Sequence, residues 1–84
     1  MKKVVIYTKD YCPYCDRAKN YFREHKIPFE ERDVTNNPIL LEEMLKRSNG
    51  RRTVPEIFFD EDHVGGWDDL NQLIQNKKIE ERLG

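Results

Sequence analysis

Residues 3–15 read KVVIYTKDYCPYC, an apolar β-branched run that gives way to a turn and then to a cysteine pair. Val4, Val5, Ile6 and Tyr7 show no polar alternation, so Lys3 to Thr8 is predicted to be a buried strand. Pro13 suits a first helical position, and Tyr14, Ala18, Tyr21 and Phe22 recur at i, i+4, i+7 and i+8. A helix is therefore predicted from Pro13 to about His25. Cys12 and Cys15 fall where the strand hands over to the start of that helix.

Working outward, Pro28 opens a short second strand, about Phe29 to Val34. Thr35-Asn36-Asn37-Pro38 is a helix-start cluster. The helix it starts runs from Ile39 to Arg47, with Glu42–Lys46 and Glu43–Arg47 at i, i+4, and Gly50 ends it. Pro55 to Phe59 and Asp62 to Gly65 read as a hairpin turning near Asp60-Glu61. Gly65-Gly66 breaks the second strand, a helix runs from Trp67 to Gln75, and Ile79 and Leu83 mark a short closing helix. The order βαβα–ββα predicts an α/β fold. Its first two strands are parallel across a right-handed crossover, and the hairpin adds an antiparallel half.

The chain has 84 residues and is expected to form a single domain over 1–84. Fifteen basic residues against sixteen acidic ones remove the usual footprint of nucleic-acid or anionic-membrane binding. No apolar run approaches the ~20 residues that span a bilayer. Lys2 and Lys3 precede only a four-residue apolar stretch, short for a secretory signal, so the expected location is cytoplasmic.

Cys12 and Cys15 are the only cysteines. A bond between residues three apart closes almost no loop, so its expected purpose is chemical rather than stabilising. A cysteine at a helix N-terminus faces free backbone N–H groups and the positive end of the helix dipole. Lys9 and Arg17 add positive charge nearby. Cysteines in such settings have pKa values of roughly 3.5–7.5, against about 8.5 when free. Cys12 is thus the expected nucleophile, with Cys15 one turn on as its partner. The alternatives are a static disulfide, half of a zinc site and two buried thiols. The zinc reading suffers because the spacing to the only histidines, His25 and His63, is no finger pattern; no metal is expected.

The chain resembles a glutaredoxin along essentially its whole length. The resemblance rests on Tyr7-Thr8-Lys9 before Cys12-Pro13-Tyr14-Cys15, on Thr53-Val54-Pro55, and on Gly65-Gly66-Trp67-Asp68-Asp69-Leu70. Cys15 points to the dithiol class, since single-cysteine members carry Ser there. The resemblance implies a thioredoxin-like fold, a four-stranded mixed sheet flanked by helices, and a glutathione site.

In that site Cys12 and Cys15 are catalytic. Thr53, Val54 and Pro55, with Pro55 cis, turn the Val54 backbone toward the cysteinyl part of glutathione. Gly66 and the helix start after it hold the γ-glutamyl carboxylate. Asp68 or Asp69, with Asp69 favoured, holds the ammonium; the alternative is that both aspartates only complement the helix dipole. Lys9 and Tyr14 flank the peptide. Trp67 either walls the pocket or anchors the core. Relatives often place Gln or a basic residue on the second helix for the glycyl carboxylate. Here that stretch reads Leu41-Glu42-Glu43, and Arg51 or Arg52, with Lys9, is the substitute on offer.

The implied activity is glutathione-dependent thiol–disulfide exchange on glutathionylated proteins and protein disulfides, ribonucleotide reductase among the acceptors, by a monomer. Two other readings stand beside it. One is a redox protein reduced directly by a flavoprotein reductase. The other is an iron–sulfur carrier, a dimer bridged through Cys12 and two glutathiones.

Overall fold

Strand β1, Val4–Thr8, is buried along its whole length because it is paired on both edges and covered on both faces. The computed structural model describes residues 1–84. After β1 come α1 (Pro13–Glu24), β2 (Phe29–Asp33), α2 (Pro38–Arg47), β3 (Glu56–Phe59), β4 (Asp62–Gly65), α3 (Trp67–Gln75) and α4 (Ile79–Leu83). The sheet order is β2-β1-β3-β4. β1 runs parallel to β2, with Val4 opposite Phe29, and antiparallel to β3, with Val4 opposite Phe59. This is the mixed sheet that the element order predicts.

Alternate side chains of β1 and β3 divide the core into two layers. Val4, Ile6, Ile57 and Phe59 pack with Ala18 and Phe22 of α1, Leu70 of α3, and Ile79 and Leu83 of α4. Val5, Tyr7 and Phe58 pack on the other face with Met44 of α2. The sheet therefore has helices on both sides, which is why an unbroken apolar run suits its central strand.

The small departures from the predicted boundaries have local causes. Lys3 lies outside β1 because its N–H donates to the Asp60 carboxylate (2.8 Å) at the hairpin turn. Pro55 lies outside β3, having no N–H to give to a ladder. After α2, Asn49 and Gly50 both have positive φ, 58° and 91°, and the Gly50 N–H closes onto the Leu45 carbonyl at 2.7 Å.

Buried side-chain nitrogen and oxygen atoms are all partnered. Tyr7 donates its hydroxyl to Glu43 and accepts from Arg32 and Arg47, each at 3.1 Å. Burial and the Glu43 bond push the Tyr7 hydroxyl above its usual pKa. Thr8 donates to Glu31 (2.7 Å), which also pairs with Lys19 of α1 at 2.9 Å. Burial works to raise the Glu31 carboxyl, but the Thr8 and Lys19 contacts outweigh it and leave it lowered.

Candidate active site

Helix α1 begins on a sulfur. Cys12 is its N-cap, Pro13 stands at its first turn, and Cys12 Sγ accepts the Cys15 N–H at 3.1 Å. The amide that finds the sulfur is the third of the helix, a usual donor to an N-cap side chain. Cys12 and Cys15 are joined as a disulfide, with Cα atoms 5.2 Å apart. Cys15, in the first turn of α1, is 1% exposed, whereas Cys12 is half-buried and reachable. Only Cys12 is open to an incoming disulfide.

Cys12 Sγ lies 3.8 Å from the carbonyl oxygen of Val54. The Val54–Pro55 bond is cis, as expected from the sequence. Val54 is shared by two clefts. The first, about 280 Å³, is lined by Tyr14, Arg51, Thr53, Val54, Pro55, Gly66, Trp67, Asp68 and Asp69. The second, about 460 Å³, is lined among others by Lys9, Thr35, Asn37, Leu41, Arg52 and Val54. Of the residues singled out in the sequence, Tyr14, Thr53, Val54, Pro55, Gly66, Trp67, Asp68 and Asp69 thus share one cleft. Lys9 lies in the other.

The first cleft ends at the N-terminus of α3. Gly65 has φ +118°, and a Cβ there would run into the Asp69 carboxylate. That carboxylate accepts the Gly66 N–H at 3.0 Å. Gly65 is thus required by a contact inside the chain. Asp69 is engaged in capping α3, while Asp68, exposed beside it, has no hydrogen-bond or ion-pair partner in the chain. Trp67 does both things considered for it: it lines the cleft and packs against the main core.

The two arginines before Thr53 part company. Arg52 joins Lys9 in the second cleft, and Arg51 faces the α3 end of the first. Glu42 and Glu43 of α2 are turned to Lys46 and Arg32 (3.4 and 2.6 Å), so Lys9 and Arg52 are the cations in the second cleft. Thr35 and Asn37, read from sequence only as a helix-start cluster, also line it. No group of three or more His, Cys, Asp or Glu side chains is placed to hold a metal ion.

The glutaredoxin family model matches residues 4–64, from β1 through the cysteine pair and the Val54–Pro55 turn into β4. The chain belongs to the glutaredoxin family. Among curated members, it is 51% identical over 73 residues to glutaredoxin 3 of Escherichia coli strain K12, covering 87% of each chain. It is 41% identical over 83 residues to a glutaredoxin of Pseudomonas aeruginosa, covering 99% of this chain and 98% of that one. The solution structure of glutaredoxin from Brucella melitensis matches with a TM-score of 0.82 at 42% identity, covering 100% of this chain and 92% of that one. The thioredoxin-like fold and the Cys12-Pro13-Tyr14-Cys15 pair of this glutaredoxin support thiol–disulfide oxidoreductase activity.

Proposed function

We propose that this chain reduces glutathione mixed disulfides and protein disulfides with glutathione as the reductant. The observation that carries this reading is the saddle at Val54: a reachable Cys12 sulfur between two clefts of opposite furnishing. An extended tripeptide rises about 3.3 Å per residue. Laid across Val54 it brings its central sulfur to Cys12 and one end into each cleft. The amides at the start of α3 suit the γ-glutamyl carboxylate, and Asp68, without a partner, suits the ammonium. Lys9 and Arg52 suit the glycyl carboxylate.

Cys12 thiolate attacks the glutathionyl sulfur, the substrate S–S bond breaks, and the substrate leaves as a thiolate that takes up a proton. A second glutathione thiolate then attacks the same glutathionyl sulfur, forming glutathione disulfide and releasing Cys12. With a protein disulfide, Cys12 attacks one sulfur and releases the other. Cys15 thiolate then attacks Cys12 Sγ, freeing the second substrate thiol and leaving the Cys12–Cys15 disulfide. Two glutathiones return that disulfide to the dithiol and leave joined as glutathione disulfide.

The test is a coupled assay with glutathione and a glutathionylated peptide, run beside an assay coupled to a thioredoxin reductase without glutathione. Turnover only in the first is expected. Turnover only in the second would overturn the reading.

A further inference from the structure

β3 opens with a charge in an otherwise apolar strand. Glu56 is 0% exposed, and it accepts from Thr53 Oγ1 at 2.8 Å and meets His63 Nε2 at 2.6 Å. The His63 ring is itself stacked on Phe58. Above this carboxylate sits the Arg51 guanidinium, with Nε 3.6 Å from Glu56 and Nη1 3.9 Å from Asp69. The Arg51 backbone is fixed as well: its N–H donates to Ser48 Oγ and its carbonyl accepts from the same hydroxyl, both at 3.1 Å. Ser48 is 2% exposed.

Arg51 is thus held on both sides, yet its guanidinium makes no hydrogen bond within the chain. Arg82, by contrast, grips Asp62 at 2.7 and 2.8 Å. A guanidinium has five N–H donors in a planar fork that matches a carboxylate. Those of Arg51 are unfilled, in a cleft that closes on the N-terminus of α3. We propose that Arg51 reads the α-carboxylate of a γ-glutamyl group, and that Glu56 and Ser48 are positioning residues that hold Arg51 ready for it. This rests on the glutathione reading above. It assigns Arg51 to the γ-glutamyl end of the ligand, opposite to the glycyl role weighed for it from the sequence.

The experiment uses one peptide in two forms, S-glutathionylated and carrying a cysteinylglycine mixed disulfide that lacks the γ-glutamyl group. Wild type should prefer the first. Arg51→Ala should raise KM for the glutathionylated form about tenfold, as for loss of a charged hydrogen bond. It should leave kcat, and KM for the cysteinylglycine form, little changed. Glu56→Gln should raise KM in the same substrate-selective way, and adding it to Arg51→Ala should make matters no worse. Ser48→Ala serves as the positioning variant should Glu56→Gln not fold. If Arg51→Ala affects both substrates alike, or neither, the proposal is overturned. Additive effects of the paired substitutions overturn the positioning role. A wild type that does not distinguish the two substrates overturns the glutathione reading itself, and this proposal with it.

Discussion

Asp68 and Asp69 are adjacent carboxylates at the start of α3, and in the structure they differ: Asp69 has partners and Asp68 has none. Asp69 caps the helix by accepting the Gly66 N–H at 3.0 Å; its longer contact to Arg51 is half-exposed. Replacing such a cap by alanine costs about 1 kcal/mol. In a domain of this size that lowers Tm by roughly 4–8 °C. Asp68 has no partner to lose, so Asp68→Ala should shift Tm only by the small helix-dipole contribution. If Asp68 holds the glutathione ammonium, its loss removes a charge-assisted hydrogen bond of about 1.5–3 kcal/mol, or roughly tenfold or more in KM. The two variants should therefore cross: Asp69→Ala mainly in thermal melts followed by circular dichroism, Asp68→Ala mainly in KM for a glutathionylated peptide. An unchanged KM in Asp68→Ala, or a melting loss as large as that of Asp69→Ala, refutes the division.

Cys12→Ser should abolish turnover while keeping the fold, because serine is itself a good N-cap; residual activity on a glutathionylated peptide would remove Cys12 as nucleophile. Cys15→Ser should retain deglutathionylation, resolved by external glutathione, and lose reduction of protein disulfides; equal loss on both substrates counts against the assignment. Asp62 is held below its usual carboxyl range by the Arg82 side chain, which ties α4 to the hairpin. Its carboxyl is lowered on folding, so the pair stabilises above the unfolded value and that contribution is lost as pH falls through the lowered one. Arg82→Ala should cost about 0.5–1 kcal/mol at pH 7 in urea unfolding. The gap from wild type should shrink on acidification below 3.8, and a gap that is constant with pH would exclude the ion pair as its cause.

The fold was legible because its signals are local. The Lys3 to Thr8 run, Pro13, Pro38 and the Gly65-Gly66 break each mark a boundary that the backbone respects within a residue or so. The cysteine site was legible for the same reason, since Cys12 and Cys15 need only a helix start between them. What could not be read is how distant segments share out like residues. Arg51 and Arg52 are neighbours with the same charge, yet the Ser48 clamp and the Glu56 carboxylate hold Arg51 in the first cleft while Arg52 lines the second. Asp68 and Asp69 are separated by their places in the first turn of α3, since it is Asp69, three residues after the Gly66 N-cap, that lies under the Gly66 N–H. The signal for the buried network was present in Glu56-Ile57-Phe58-Phe59: a charge among residues destined for the core demands partners.

The sulfur that opens α1 belongs at once to the reaction and to the scaffold. Any covalent change at Cys12 alters the acceptor that the Cys15 amide sees, since that N–H points at Cys12 Sγ from 3.1 Å. The Cys15 backbone amide is therefore a resident spectroscopic probe. Thiolate, glutathione adduct and internal disulfide should each give it a distinct proton chemical shift, so a single isotope label can follow the progress of turnover from within the helix.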